Sequence, residues 1–424
     1  MIKNIPFESG KKRVVIVGGG FGGLKLASNL DCKHFQIVLL DKNNYHQFQP
    51  LLYQVAITGL EESSIAYPFR KNFQKKCIHF RMCELTKVIP EENKIETSIG
   101  SLNYDYLVLA CGCDTNFFGN NSLKDTTLTL KTVSDAIFLK NHILQSFEDV
   151  VTSNNPDEIK KLLTFVIVGG GATGVELAGA LADLKNFVLP KDYPEIDFSK
   201  MQIHLIDASP RMLVAMSENA SFHAAKALKK RGVIIHQNVS VSSYENDIVT
   251  TSDGIVLHSK NVLWVAGIKG ASINGLNSEN YGKGNRIIVD EYCLINGFKN
   301  VFAIGDGAIM QTQDYPNGHP QVAQGAIQMA NLVEKNLEKK IAGKQPQKFR
   351  YKDKGTLATI GRNAAVADFG KLRFSGRLAW CLWLLVHIYT ILGVKNKIVI
   401  ILNWVWSYFT YDISLRVLIR PKCE

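Results

Sequence analysis

No pair of the eight cysteines has CxxC spacing, and the CGC at 111–113 is too tight for the usual zinc or redox sites. A structural metal centre and a redox dithiol are therefore not expected, and the thiols read as free or buried cysteines of a reducing compartment. Low-complexity tracts and solenoid-length repeats are missing as well. No apolar h-region follows the N-terminal charges, which argues against a cleaved signal peptide. Acidic residues are in deficit, 38 against 49 Lys and Arg, for a net charge of +11. More than half of that excess lies near the C-terminus. There Lys371, Arg373, Arg377, Lys395, Lys397, Arg416, Arg420 and Lys422 face only Asp412 and Glu424. No RNP-like strand or helix-turn-helix pattern accompanies these cations, so no nucleic-acid partner is expected.

Glycine is what the sequence has in quantity, 33 of 424 residues, and its clusters are patterned. KRVVIVGGGFGGLKLASNL (12–30) runs from a β-branched strand through Gly18, Gly20 and Gly23 into a helix. The first glycine permits a tight turn and the second lets backbone approach a pyrophosphate. The third lets helix pack on strand, and the helix N-terminus faces the phosphates. The next strand, FQIVLLD, ends on Asp41, where an acid suits an adenosine ribose. Strand, glycine turn, helix and acid together predict a dinucleotide site.

The pattern then recurs. LTFVIVGGGATGVELAGAL (163–181) supplies Gly169, Gly171 and Gly174, and MQIHLID ends on Asp207. The longer interval before this acid fits a loop around KNFVLPKDYPEIDFSK (185–200). An acidic strand end favours NADH over NADPH, whose 2′-phosphate would meet like charge, although Arg211 lies close by. Further on, YDYLVLACG (104–112) and NVFAIGDGA (300–308) are strands ending in small residues, and Asp306 in its glycine turn can accept hydrogen bonds from ribityl hydroxyls.

The order and spacing of these motifs over residues 12–335 resemble the two-dinucleotide-domain flavoproteins, in which the first cradle and the GD turn hold FAD and the central cradle holds NAD(P)H. NYHQFQPLLYQVAITGLEESSIAYPFR, LWVAGIKG and AQGAIQ (323–328) narrow this further and resemble type II NADH dehydrogenase, the non-pumping NADH:quinone oxidoreductase. The fold so implied is α/β. Two Rossmann-like domains in a glutathione-reductase-like arrangement occupy 1–130 with 271–345 (FAD) and 131–270 (NADH), and a helical membrane-binding region covers 346–424. A sulfide:quinone oxidoreductase is the alternative, although Cys111, Cys113 and Cys293 do not clearly match its flanking cysteines. A membrane-docked flavoprotein redox sensor is a second.

The resemblance implies FAD contacts from Gly18, Gly20, Phe21, Gly22, Gly23, Asp41, Lys42, Ala110, Gly112, Gly305, Asp306, Ala323 and Gln324, with Gln49 and Pro50 near the flavin. It implies NADH contacts from Gly169, Gly171, Thr173, Gly174, Glu176, Asp207 and Gly267. No metal is implied. Glu176 has two readings: a carboxylate stabilised at a helix start, or a group that orients NADH and relays protons. His46 reads as structural, and Phe48 and Tyr53 as packing residues. Arg70, Lys71, Lys75 and Lys76 read as a solvated face.

In HPQVAQGAIQMA (319–330), Gln321, Gln324 and Gln328 share one helical face. Pro320 suits a first helical turn, and Ala323, Gly325 and Ala326 leave room for cofactor and quinone. Gln324 and Gln328 match the family's AQxAxQ and are expected to hydrogen-bond a quinone carbonyl. Gln321 falls outside it and is expected to be solvated or capping.

Two apolar runs close the chain, LAWCLWLLVHIYTILGV (378–394) and IVIILNWVWSYFTY (398–411), and they hold four of the five tryptophans. Both are short for a bilayer span of about 20 residues. Indoles and flanking cations suit the interface, so two surface-lying helices are expected over a transmembrane hairpin or a dimerisation segment. The expected partners are a lipid surface contacted through residues 377–420 and a menaquinone or ubiquinone, with a homodimer left open. The expected location is the cytoplasmic face of a bacterial inner membrane.

Overall fold

The computed structural model describes residues 1–74, 77–410 and 415–419. The chain forms two compact units, Met1–His46 with Tyr67–Asp114 and Ile268–Asp353, and Gln47–Ala66 with Thr115–Gly267 and Lys354–Glu424.

The first unit is built on a five-stranded parallel sheet in the order Val301–Ala303, Tyr106–Leu109, Lys12–Val17, Phe35–Asp41, Ile78–Met82. Val14, Val15 and Ile16 are wholly buried, as expected where a parallel sheet is covered on both faces. The helix Phe21–Asn29 follows the central strand, and the later helix Ala323–Ile341 packs on it. A side chain at Gly22 would press on the carbonyl of Ala326 at 3.2 Å, so this closeness depends on two small residues. Ala326 is buried in that contact. It therefore serves helix packing.

The second unit repeats the plan. Its parallel sheet runs Leu128–Thr129, Asn261–Trp264, Thr164–Val168, Gln202–Asp207, Val233–Gln237. The helix Ala172–Phe187 follows the central strand, and the expected loop after it holds a helical turn at Leu189–Asp192. A three-stranded antiparallel sheet, Thr356–Thr359, Ala365–Phe369 and Leu372–Gly376, lies against the same helix. Gly179 allows that approach, because a Cβ there would strike the Ile360 carbonyl.

Two tail helices, Arg377–Thr390 and Val394–Thr410, complete the second unit. Among the described residues no helix is long and apolar enough to cross a membrane. Each tail helix instead has two faces. Ala379, Trp383 and Ile400 are buried, whereas Leu378, Leu385 and Tyr389 on the first helix, and Val394, Ile398, Leu402, Val405 and Phe409 on the second, are exposed.

Three expectations need correction here. Cys32 and Cys77 are not separate thiols but are joined as a disulfide, with Cα atoms 6.1 Å apart, as such a bond requires. The tail tryptophans do not all face outward: Trp383 is 1% exposed and packs on His387 and Trp404, Trp380 and Trp404 are half-buried, and Trp406 is exposed. Arg416 is paired with Asp192 rather than left for headgroups. Arg70 and Lys71 are exposed on a short helix, as expected, whereas Lys75, Lys76, Arg420 and Lys422 lie outside the described residues.

Candidate functional site

In the first unit Gly18 adopts φ +102°, which an L side chain rarely takes, and a Cβ on it would meet the Ala110 carbonyl. A Cβ on Gly23 would run into the Gly18 carbonyl oxygen, and around Gly20 there is open space. The helix starting at Phe21 has no side-chain cap, so its first N–H groups are left for a ligand. The Gly18 N–H donates to the Leu40 carbonyl at 2.8 Å. Asp41 accepts from the N–H groups of Gly19 at 2.6 Å and Asn43 at 2.7 Å, so this acid first pins the glycine turn. Burial pushes its carboxyl above the ordinary value. His46 is buried, its Nδ1 2.9 Å from the Gly19 carbonyl oxygen, which is the structural role expected of it.

The second unit reproduces this geometry. Gly169 has φ +121°, Gly171 borders open space, and a Cβ on Gly174 would collide with the Gly169 carbonyl. The Gly169 N–H donates to the Ile206 carbonyl at 2.8 Å, and Asp207 accepts from Gly170 and Ser209 N–H groups. Arg211 donates to the carbonyls of Leu213, Val214 and Met216, so its guanidinium is committed within its own loop. Gly267, at φ +76°, closes the turn beside Phe118 and accepts from the Asn116 N–H at 3.2 Å. Both cradles pass the test for a dinucleotide: uncapped helix starts, open space at the second glycine, and collisions for any side chain at the first and third.

Glu176 lies in the first turns of the second cradle's helix and is only 7% exposed. Its Oε1 has a long contact with the Thr359 N–H, 3.4 Å. Burial raises its carboxyl to about 8, with the Thr359 N–H and the Trp383 indole opposing. At neutral pH this side chain holds a proton.

The GD turn occupies Gly305–Gly307 of the first unit, with Gly112 against Gly307. The helix that follows begins at Ala323, so Pro320 and Gln321 precede it instead of filling its first turn. Gln321 is not solvated. Its Nε2 donates to the Asp306 carbonyl at 3.0 Å and contacts the Cys113 sulfur at 3.2 Å, while Cys113 donates to that same carbonyl. One amide thus ties the GD turn to the start of the short strand Cys113–Thr115. Gln328 clasps the Lys352 backbone in both directions, each at 2.9 Å, and Gln324 Nε2 contacts Asp353 Oδ1 at 3.4 Å. Gln49 and Pro50 form a 3-10 turn in the second unit, ahead of the helix Leu52–Ala56.

Comparison with known proteins decides the family. Residues 12–330 match the model for the pyridine nucleotide-disulphide oxidoreductase family, and residues 354–410 match the NDH2 C-terminal domain. The type II NADH:quinone oxidoreductase Ndh of Mycobacterium tuberculosis is 35% identical over 416 residues, 94% of this chain and 89% of that protein. The chain belongs to the type II NADH:quinone oxidoreductase family. NDH2 of Plasmodium falciparum, solved in complex with NADH, superposes with a TM-score of 0.87 over 97% of this chain and all of that one, at 22% identity. The sulfide:quinone oxidoreductase of Aquifex aeolicus gives a TM-score of 0.74 over 95% and 96% of the two chains, at 20% identity, which is a likeness of fold. The thiols agree with the family assignment. Cys293 is buried and its thiol is raised well above the ordinary value, so it is not poised as a nucleophile, whereas Cys111 is exposed.

Proposed function

We propose that the first cradle holds FAD and the second NADH, and that the protein passes electrons from NADH to a membrane quinone without pumping protons. The observation carrying this reading is the doubled cradle: two glycine turns of matching geometry, each with an acid accepting from the turn and an uncapped helix start. In the first, Gly18, Gly20, Phe21, Gly22 and Gly23 would face the FAD pyrophosphate, and Asp41 with Lys42 the adenosine ribose. Ala110, Gly112, Gly305 and Asp306 would hold the ribityl end. In the second, Gly169, Gly171, Thr173, Gly174 and Gly267 would cradle NADH, and Asp207 would take its ribose hydroxyls. Arg211 is committed to the carbonyls of its own loop rather than held toward a 2′-phosphate, which supports NADH over NADPH.

When bound, the flavin supplies the redox chemistry, accepting a hydride from NADH and giving two electrons to the quinone. Glu176 holds a proton at neutral pH and so serves as a hydrogen-bond donor toward the nicotinamide side. Gln324 and Gln328 serve the acceptor, Gln328 through the Lys352 backbone that it clamps. The exposed apolar stripes of the tail helices rest on the bilayer surface, where a lipid-soluble quinone is met, and the protein is peripheral on the cytoplasmic face of a bacterial membrane. The purified protein should be yellow and should release FAD on denaturation. Colourless protein, or release of FMN alone, overturns the reading.

A further inference from the structure

In the second unit, the segment 116–120 reads NFFGN and carries two adjacent phenylalanines with opposite surroundings. Phe117 stacks on Trp264, ring centroids 5.8 Å apart, and packs against the buried cluster that includes Val166 and Ile206. Phe118 is 70% exposed. A single exposed aromatic ring is ordinary on a protein surface, but two further features set this one apart.

The first is its backbone. Phe118 has φ +52° and Gly119 φ +86°, and the Asn120 N–H donates to the Phe117 carbonyl at 3.0 Å. Positive φ at both central residues belongs to a tight turn whose first central position normally takes Asn, Asp or Gly. A bulky aromatic there works against the preference of the chain. The turn is nevertheless firmly held. The Phe118 N–H donates to Asn116 Oδ1 at 2.9 Å, the Asn116 N–H to the Gly267 carbonyl at 3.2 Å, and the Trp264 indole to the Asn116 carbonyl at 2.9 Å. Folding alone gains little from a residue whose ring stays in water and whose backbone is disfavoured. A ligand that covers the ring changes that balance.

The second feature is what the ring stands over. A Cβ on Gly267 would lie 2.9 Å from the tip of the Phe118 ring, and a Cβ on Gly169 would lie 2.8 Å from the Ala266 backbone. The ring therefore borders the first glycine of the second cradle by way of Ala266 and Gly267. In the sheet, Gln202–Asp207 and Asn261–Trp264 flank Thr164–Val168 on opposite sides. A dinucleotide lying across such a sheet has its pyrophosphate at the central turn. With its adenosine ribose at Asp207, its other half passes the end of Asn261–Trp264, which is where Phe118 stands.

We propose that Phe118 binds the nicotinamide end of NADH, its ring packing against the dihydronicotinamide ring once the nucleotide is seated. The inference rests on the second cradle being the NADH site. The dihydronicotinamide ring is flat and uncharged, which suits an aromatic neighbour. Gly267 then has two duties, to take its positive φ and to leave room for the Phe118 ring.

The turn supplies its own control, because Asn suits the left-handed position and lacks the ring. Calorimetric titrations of the full-length holoenzyme would use a redox-inactive tetrahydronicotinamide analogue of NADH, and ADP-ribose, which has the same pyrophosphate and riboses but no nicotinamide. Phe118→Asn should weaken the analogue about five- to thirtyfold, the worth of partly burying one aromatic ring, and leave ADP-ribose within about twofold of wild type. Phe118→Tyr, which keeps the ring, should retain the wild-type affinity for both. The Tm of Phe118→Asn should be no lower than that of the wild type. Unchanged affinity of Phe118→Asn for the analogue, an equal loss for ADP-ribose, or a lowered Tm each overturns the inference. If ADP-ribose does not bind the wild type, the cradle reading itself fails; ADP-ribose binding with no effect of Phe118→Asn on the analogue sinks the role of Phe118 alone.

Discussion

Glu176 offers a prediction whose size and sign both follow from the structure. Its carboxyl is raised from 4.5 to about 8, chiefly by burial. At about 1.4 kcal/mol per unit, that shift caps the linked stability at about 5 kcal/mol. Because the folded value lies above the unfolded one, the contribution is fully present below about pH 4.5. It declines as pH rises and is gone once pH passes about 8. Glu176→Gln cannot ionise, so the variant should track the wild type near pH 5 and become progressively more stable than it toward pH 8.5. At about 2 °C per kcal/mol for units of this size, the gap in Tm approaches about 10 °C at the ceiling. Thermal unfolding of wild type and variant holoenzymes across pH 5–8.5 measures it, and every other titrating group cancels in the difference. Parallel curves, separated by a constant degree or less, would refute the assignment of a buried, protonated Glu176.

Three other perturbations test separate parts of the molecule. Gln321→Ala removes the amide that joins Asp306 to Cys113 and should weaken FAD binding to apoprotein about three- to tenfold, read by recovery of flavin fluorescence on dilution; unchanged affinity would make that clasp incidental. Asp207→Ala should lower the rate with NADH at least tenfold and narrow the preference over NADPH, and steady-state comparison of the two nucleotides would contradict the ribose role if both rates fell equally. Replacing Leu402 and Phe409, both exposed on the second tail helix, with Asp should abolish co-flotation with anionic vesicles while the flavin stays bound; co-flotation that persists would remove the tail helices from membrane contact.

The glycine turns announced themselves because each glycine answers to a local collision that any sequence with that spacing would meet. The tail helices were legible from apolar length alone. What escaped notice depended on partners far apart in the chain. Helical spacing alone puts Gln321 on one face with Gln324 and Gln328, but the helix begins only at Ala323, and the partners of Gln321 lie at Cys113 and Asp306. Cys32 and Cys77 are separated by 45 positions and join only because the first cradle's sheet brings them together. Trp383 and Trp404 carry the interfacial signature in composition, yet they turn inward against the helices of their own unit.

The central claim is electron transfer from NADH to quinone, and a double-mixing stopped-flow experiment tests it most directly. Mixing the oxidised holoenzyme with stoichiometric NADH should bleach the flavin absorbance near 450 nm. A second mixing with a soluble benzoquinone under anaerobic conditions should restore it within the turnover time of the enzyme. Flavin that NADH does not bleach, or that stays bleached in the presence of excess quinone, would contradict the account.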